Sequence, residues 1–381
     1  MKAKLMTAVL SGVIACTAVG ATLAATADVS TSAETDVKFH FLNVNDIPGY
    51  ATIGSADCIL IEDNGVITLL DAGYYAEYSI ERVVNYIKAL GITKIDHLFL
   101  THPHNDHAGG MPAVINNFDI GTIYLKATDW KTLYTHEQGP KGTRVMYDDV
   151  YLAAKRKLNS DGSTVTMVHP EEDGMTVQIN AKSNFEIWNC IDPWEDKNYR
   201  PEFNDYTMVM KYNYKDVSAL LLGDINMYYE SSLVGNIGEC EIFKVAHHGT
   251  WGTISTDTLF EEVKAKVGVI TGIRGNFGTV SSGYEHYTKA TENKMKELGV
   301  EYTLVEGKSV TVAGTYKATL DSANVSYTEN QDGTLSVAIL GSNIESALTY
   351  HGIDYEITQD GDVIITTDGT DGNVSMELIE K

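Results

Sequence analysis

Four side chains able to ligate a metal fall within six residues: His102, His104, Asp106 and His107. Two further sets lie far along the chain, Asp224 just past the apolar run Ser218–Leu222 and the pair His247-His248 just past Ile242–Ala246. Five of the eleven histidines sit in these two clusters, although any one of them alone would read better as a hydrogen-bonded turn residue. Imidazole and carboxylate with no thiolate nearby suit zinc or a similar borderline metal. On a tight turn His102 and His104 can point to one ion while Asp106 and His107 face a second. Asp224 can then bridge the two.

The elements around these residues have to present them at strand ends. Phe39–Val44 and Cys58–Glu62 read as strands, and Asp63-Asn64-Gly65 reads as the turn into a third strand, Val66–Leu70, which ends at Asp71-Ala72-Gly73. Ile80, Val83, Val84, Ile87 and Leu90 keep helical spacing until Gly91. The run Ile95–Leu100 is apolar enough to be buried on both faces, and it delivers the chain to His102. From Lys126 to Arg200 the pattern is irregular apart from a helix over Met146–Leu158, and this stretch is expected to be an insertion shaping one wall of the site. Strands are expected again at Thr207–Tyr212, Ser218–Leu222, Ile242–Ala246 and Val267–Thr271, with helices at Asp257–Ala265 and Tyr287–Leu298. Past residue 318 the chain turns Thr/Ser/Asp/Gly-rich. There Tyr327–Leu335 and Tyr355–Val363 share Tyr-x3-Gln-Asp-Gly, which hints at duplicated hairpins.

Lys2 and Lys4 precede an apolar run from Leu5 to Ala25, and Ala25-Thr26-Ala27 has the small-x-small form of an export cleavage site. Residues 1–27 are therefore expected to be a signal peptide and 28–37 a polar linker. The alternative is lipidation and anchoring at Cys16, which the apolar residues continuing to Leu23 disfavour. No other stretch is long and apolar enough to span a bilayer. The full chain has 28 basic and 52 acidic residues; without Lys2 and Lys4 the balance is 26 against 52, a net charge of −26. Such a field repels duplex nucleic acid unless a local basic groove or bound ions reverse it. Cys58, Cys190 and Cys240 are odd in number and widely spaced, so they are read as buried free thiols rather than a disulfide framework.

The motif His-x-His-x-Asp-His after an apolar strand, with Leu69-Leu70-Asp71-Ala72-Gly73 before it and Leu221-Leu222-Gly223-Asp224 and Val245-Ala246-His247-His248-Gly249 after it, resembles the metallo-β-lactamase superfamily. The likeness spans residues 38 to about 315. Within that superfamily the chain resembles the metallo-β-lactamase domain of the competence DNA-uptake proteins and, more closely, the catalytic domain of teichoic acid phosphorylcholine esterases. Lys126 after Ile123-Tyr124-Leu125 supports the second likeness; the choline-binding Trp/Tyr repeats are absent. The resemblance implies an α/β protein with an αββα sandwich over residues 38–317, followed by a small β-rich C-terminal segment over 318–381.

It also implies two Zn2+ ions, Mn2+ or Fe being alternatives. His102 and His104 would hold the first ion, Asp106, His107 and His248 the second, and Asp224 both. Many relatives carry a further histidine for the first ion, but His136 and His169 lack the local motif, so water or Asn204 is expected to fill that place. Asp71 is expected to orient a ligand histidine and His247 to stand behind the ligands. His286 lies where the family often places a histidine facing substrate. Trp251, Tyr74 and Tyr75 could form an aromatic rim for a sugar, base or quaternary ammonium.

The expected function is thus that of a secreted dinuclear hydrolase acting on a small or cell-wall phosphoester. Asp106 or Asp224 would hold the attacking hydroxide and His286 could donate to the leaving oxygen. The alternatives are a β-lactamase-type amide hydrolase, a competence-type nuclease, and a cell-surface metal-binding module without turnover.

Overall fold

The structure is a computed structural model. It describes residues 35–44, 56–127, 146–190, 203–249, 256–272, 287–305, 309–322, 325, 327–330, 332–338, 348–358 and 361–380. Strands β1 (Val37–Phe41), β2 (Ile59–Asp63), β3 (Val66–Leu70), β4 (Lys94–Phe99), β5 (Asp119–Tyr124) and β6 (Thr166–Val168) come first. They are followed by β7 (Met175–Asn180), β8 (Ser183–Trp188), β9 (Val209–Tyr214), β10 (Val217–Leu221), β11 (Ile242–Lys244), β12 (Val267–Ile270) and β13 (Glu301–Leu304). The last are β14 (Ser309–Val312), β15 (Thr328–Glu329), β16 (Leu335–Ala338), β17 (Tyr355–Thr358), β18 (Gly361–Thr367) and β19 (Val374–Glu380). Among the described residues they form one sheet of order β19-β18-β1-β2-β3-β4-β5-β6, a second of order β13-β12-β11-β10-β9-β8-β7, and a small one of order β15-β16-β14-β17.

Because successive strand residues point to opposite faces, each central strand feeds two apolar layers. Phe39, Ile61, Leu70 and Phe99 of the first sheet meet Phe185, Met210, Tyr212 and Leu221 of the second in a core between the sheets. Phe99 stacks on Tyr124 at 4.3 Å and reaches across to Phe185 at 5.1 Å. The opposite face of the first sheet, with Leu60, Leu69 and Leu98, packs on Val83 and Ile87 of the helix Glu77–Ala89, Ile115 of the helix Met111–Asn117 and Val150 of the helix Tyr147–Arg156. Leu220, Phe243 and Ile270 on the far face of the second sheet pack on Leu259 of the helix Asp257–Val263 and on Met295. The result is the four-layered αββα sandwich expected from the sequence.

The turn between β2 and β3 is the expected tight hairpin: Asn64 and Gly65 both have positive φ, 49° and 86°, the pairing that a two-residue turn of this hand requires. Other expectations need correction. In its described residues the stretch from Lys126 to Arg200 builds framework: its helix lies in the outer layer, β6 extends the first sheet, and β7 and β8 close the edge of the second. The two Gln-Asp-Gly repeats also part company. β15 and β16 pair as a hairpin, whereas β17 joins the small sheet and β18 pairs with β1 of the first. The segment 318–381 is therefore shared: β18 buries Val363 and Ile365 in the intersheet core and covers the edge of β1. Asp362 fastens it, accepting from the Asn43 backbone N–H at 2.9 Å and pairing with Arg82. Cys58, Cys190 and Cys240 are buried and free. No helix among the described residues is long and apolar enough to cross a membrane.

Candidate metal centre

β3 runs parallel to β4, and β10 runs parallel to β11, so each pair discharges its polar residues at a common end. The two sheets are tied there by the Met208 N–H, which donates to Thr101 O at 3.0 Å. Beyond β4 the chain makes a single helical turn, Asn105–Ala108, with His104 at its start. The Ala72 N–H donates to His107 O at 2.7 Å and the Tyr75 N–H to Asn105 O at 3.0 Å, docking this turn on the end of β3. Gly109 permits the approach, since a Cβ there would lie 1.9 Å from Tyr75 N.

Asp71 has a left-handed backbone, φ 56°, that turns its side chain back toward β4. One carboxylate oxygen accepts the Thr101 N–H at 2.9 Å; the other accepts the Thr101 hydroxyl at 2.6 Å and His107 Nδ1–H at 2.7 Å. This fixes the His107 ring with Nε2 forward, 3.1 Å from Asp224 Oδ2. His248 Nε2 lies 3.4 Å from the same oxygen and 3.7 Å from Asp106 Oδ2. Asp106, His107, Asp224 and His248 thus place four donor atoms within 4.8 Å of one another. His102, His104 and Asp224 form a second such group, with His102 Nε2 2.9 Å from His104 Nδ1. Asp224 belongs to both.

These residues fit metal ions by a criterion independent of their names. His107 Nε2, His248 Nε2 and Asp224 Oδ1 are buried and form no hydrogen bond among the described residues. Leaving such atoms unsatisfied costs about 1–3 kcal/mol each, which an ion between them would remove. The charges agree. Burial pulls the His107 and His248 pKa values down, but Asp224 with Asp71 in one case and Asp224 with Asp57 in the other carry both well above the ordinary range. Burial opposes ionisation of Asp224 too, yet the facing imidazoles hold it well below the usual carboxylate range. His102 and His104 are pushed down by burial and by neighbouring imidazoles, His104 to about 4, so both are neutral near pH 7.

Of the two adjacent histidines it is the buried His248 that joins the donor group. The His247 ring is 29% exposed, with Nε2 3.8 Å from Asp224 Oδ2 and Nδ1 3.5 Å from Asn204 Nδ2. Asn204 is buried and its Oδ1 forms no hydrogen bond among the described residues. His169 is turned elsewhere, its Nδ1 bonding Leu125 O at 2.8 Å. Tyr74 does not belong to an aromatic rim, because it is buried in the layer between the first sheet and its helices; Tyr75 beside it is half exposed. Trp251, His286 and His136 lie outside the described residues.

Three participants escaped the sequence reading: Asp57, Lys244 and Thr271. Two of them had a signal, since Asp57 stands directly before an apolar strand and Lys244 interrupts one. Phe203 was also missed; its ring meets His104 edge-on at 5.4 Å.

Residues 51–180 match the family model described as the metallo-beta-lactamase superfamily. Uncharacterized protein YobT of Bacillus subtilis (strain 168) is 27% identical over 73 residues, which is 19% of this chain and 30% of YobT, so the chain spans under a third of that relative's length. Among solved structures, the metallo-beta-lactamase fold protein YhfI from Bacillus subtilis is similar over 72% of this chain and 98% of its own, with TM-score 0.44 and 10% identity. A diphosphatase from the PhnP family is similar over 71% of this chain and 95% of its own, with TM-score 0.38 and 14% identity.

Proposed function

We propose, from the premise that the chain carries a metallo-β-lactamase superfamily domain, that it is an exported hydrolase which holds two metal ions, zinc above all, and cleaves phosphoesters. The observation that carries this reading is the pair of donor groups sharing Asp224. An all-nitrogen-and-oxygen donor set suits zinc, with manganese or iron next. Ions held there would polarise the scissile group and make a water nucleophilic near neutral pH.

The chain's own residues do the rest. Asp71 holds His107 in one tautomer, Asp224 keeps the two donor groups in fixed relation, and the part-exposed His247 presents an imidazole beside Asp224 to whatever enters. Residues 1–27 serve as the export signal and are removed.

The net charge of −26 in the exported chain sets substrate preference. Each phosphate of a long polyanion outside the ion site would approach an acidic surface with few cations to release. A substrate with one phosphoester and a neutral or cationic leaving portion avoids that repulsion. The test is a hydrolysis screen of purified mature protein on phosphorylcholine esters, simple phosphomonoesters and phosphodiesters, duplex DNA and a lactam, with and without added zinc. Phosphorylcholine-type esters are expected to be cleaved faster than duplex DNA, and the gap to narrow as salt screens the surface. Comparable rates on both at low salt would favour a nuclease, and turnover of the lactam alone would overturn the phosphoester reading.

A further inference from the structure

Behind the second donor group lies a polar cluster that the ligand motif does not include. Asp57, just before β2, is fully buried, and its carboxylate reaches into the opposite sheet. There it pairs with Lys244 at the end of β11, accepts the Thr271 hydroxyl at 2.5 Å and lies 3.2 Å from His248 Nδ1. The Thr271 hydroxyl donates its one hydrogen to the bond with Asp57, so toward His248 Nδ1, 3.1 Å away, it can only accept. Both neighbours of Nδ1 are therefore acceptors, so the ring keeps a proton on Nδ1 and turns Nε2 toward Asp224 as the nitrogen free to take an ion.

The same device stands behind His107, where Asp71 and Thr101 take the places of Asp57 and Thr271. In both, Nε2 is left without a hydrogen bond among the described residues. Lys244 adds a second tie. Its ammonium also donates to Gly223 O at 3.0 Å, the carbonyl directly before Asp224. One buried lysine thus connects the carboxylate behind His248 to the turn that carries Asp224. A buried ion pair is poor value for stability alone, because apolar residues of the same volume often do as well or better.

We propose that Asp57, held by Lys244, is a positioning residue that fixes the His248 ring for the second metal ion and registers it against Asp224. The inference rests on the metal-site reading above but not on the phosphoester assignment. It is tested by competition with graded chelator on the purified, zinc-loaded full mature chain. The variants are Asp57→Asn and the double change Asp57→Leu with Lys244→Met, with His102→Ala and His248→Ala as references for losing each ion. The ion lost in His248→Ala should be released from both Asp57 variants about 10- to 100-fold more readily, the other ion staying as in the wild type. The double variant should meanwhile melt close to the wild type.

If the double variant recovers both stability and wild-type retention of both ions, Asp57 is only filling space and the proposal is overturned. Should the double variant not fold, Asp57→Asn decides, since it keeps size and shape; unchanged retention, or equal loss of both ions, overturns the proposal. An unaltered chain that binds no zinc would instead refute the metal reading beneath it.

Discussion

Gly109→Ala should damage the candidate metal centre without replacing any of its donor residues. The Cβ it adds would fall 1.9 Å from Tyr75 N, 2.2 Å from Tyr74 C and 2.3 Å from Asn105 O, all backbone atoms that cannot rotate away. Carbon needs about 3.5 Å, so the turn bearing His104, Asp106 and His107 must withdraw from the end of β3 by about 1 Å or more. That shift lengthens the contacts from Tyr75 N–H to Asn105 O and from Ala72 N–H to His107 O, now 3.0 and 2.7 Å. It also exceeds the roughly 0.5 Å within which a ligand constellation must be held. Overpacking of this kind costs about 1–3 kcal/mol or more. In a chain of this size each kcal/mol lowers the melting midpoint by about 2 °C.

The comparison variant is Gly91→Ala, where nothing lies within 4 Å and only the positive φ of 75° is strained, a cost of about 1 kcal/mol. Thermal melts and zinc content of the two variants give the answer. Gly109→Ala should melt lower and hold less zinc, while Gly91→Ala should lose a little stability and no zinc. A Gly109→Ala protein with wild-type zinc content would refute the docking argument.

Asp71→Asn removes the charge behind His107 while keeping the shape, and should weaken retention of the ion at Asp106, His107, Asp224 and His248 by about 10- to 100-fold in a chelator titration. The two donor groups should differ in pH response. His107 and His248 have raised pKa values in the metal-free protein, so they are charged at neutral pH and must lose protons to bind an ion; His102 and His104 are already neutral. Zinc uptake near pH 7 should therefore release protons for the Asp106-containing group and few for the other, measurable by calorimetry in buffers of different ionisation enthalpy; equal release would contradict this. For the metal-free protein, the His104 pKa of about 4 lies below the unfolded value, so the unfolded chain takes up the proton first and this residue's contribution to stability falls as pH drops below about 6.5. Phe185→Ala, which opens the intersheet core beside Phe99 and Tyr212, should cost about 3–5 kcal/mol in chemical denaturation.

The candidate donor groups were legible because metal chemistry restricts residue type and spacing, and because strands that end in polar residues leave a local signal. Four donors after the apolar run Ile95–Leu100 need no tertiary information. The hairpin at Asn64-Gly65 was legible for the same local reason. What stayed hidden depends on partners distant in sequence. The β18 run Val363–Thr367 alternates in the manner of any half-buried strand, and nothing local says that it pairs with β1, more than three hundred residues earlier. Asp57 and Lys244 read singly as a strand-entry carboxylate and an awkward charge; their meaning lies in the pair. Tyr74 and Tyr75 are adjacent and chemically identical, so only burial separates the core residue from the exposed one. The strands Met175–Asn180 and Ser183–Trp188 did carry a two-residue alternation that buries Val177, Ile179, Phe185 and Ile187, a pattern overlooked among the aromatic and glycine residues around it.

The central claim is that two metal ions share Asp224, and metal content measures it most directly. Mature protein purified without chelator and passed through a desalting column should carry close to two equivalents of transition metal by elemental analysis. The Asp224→Ala protein, handled identically and still folded by circular dichroism, should carry little of either ion, because both donor groups lose a member. An unaltered chain without metal at neutral pH, or an Asp224→Ala chain that retains both ions, would contradict the account.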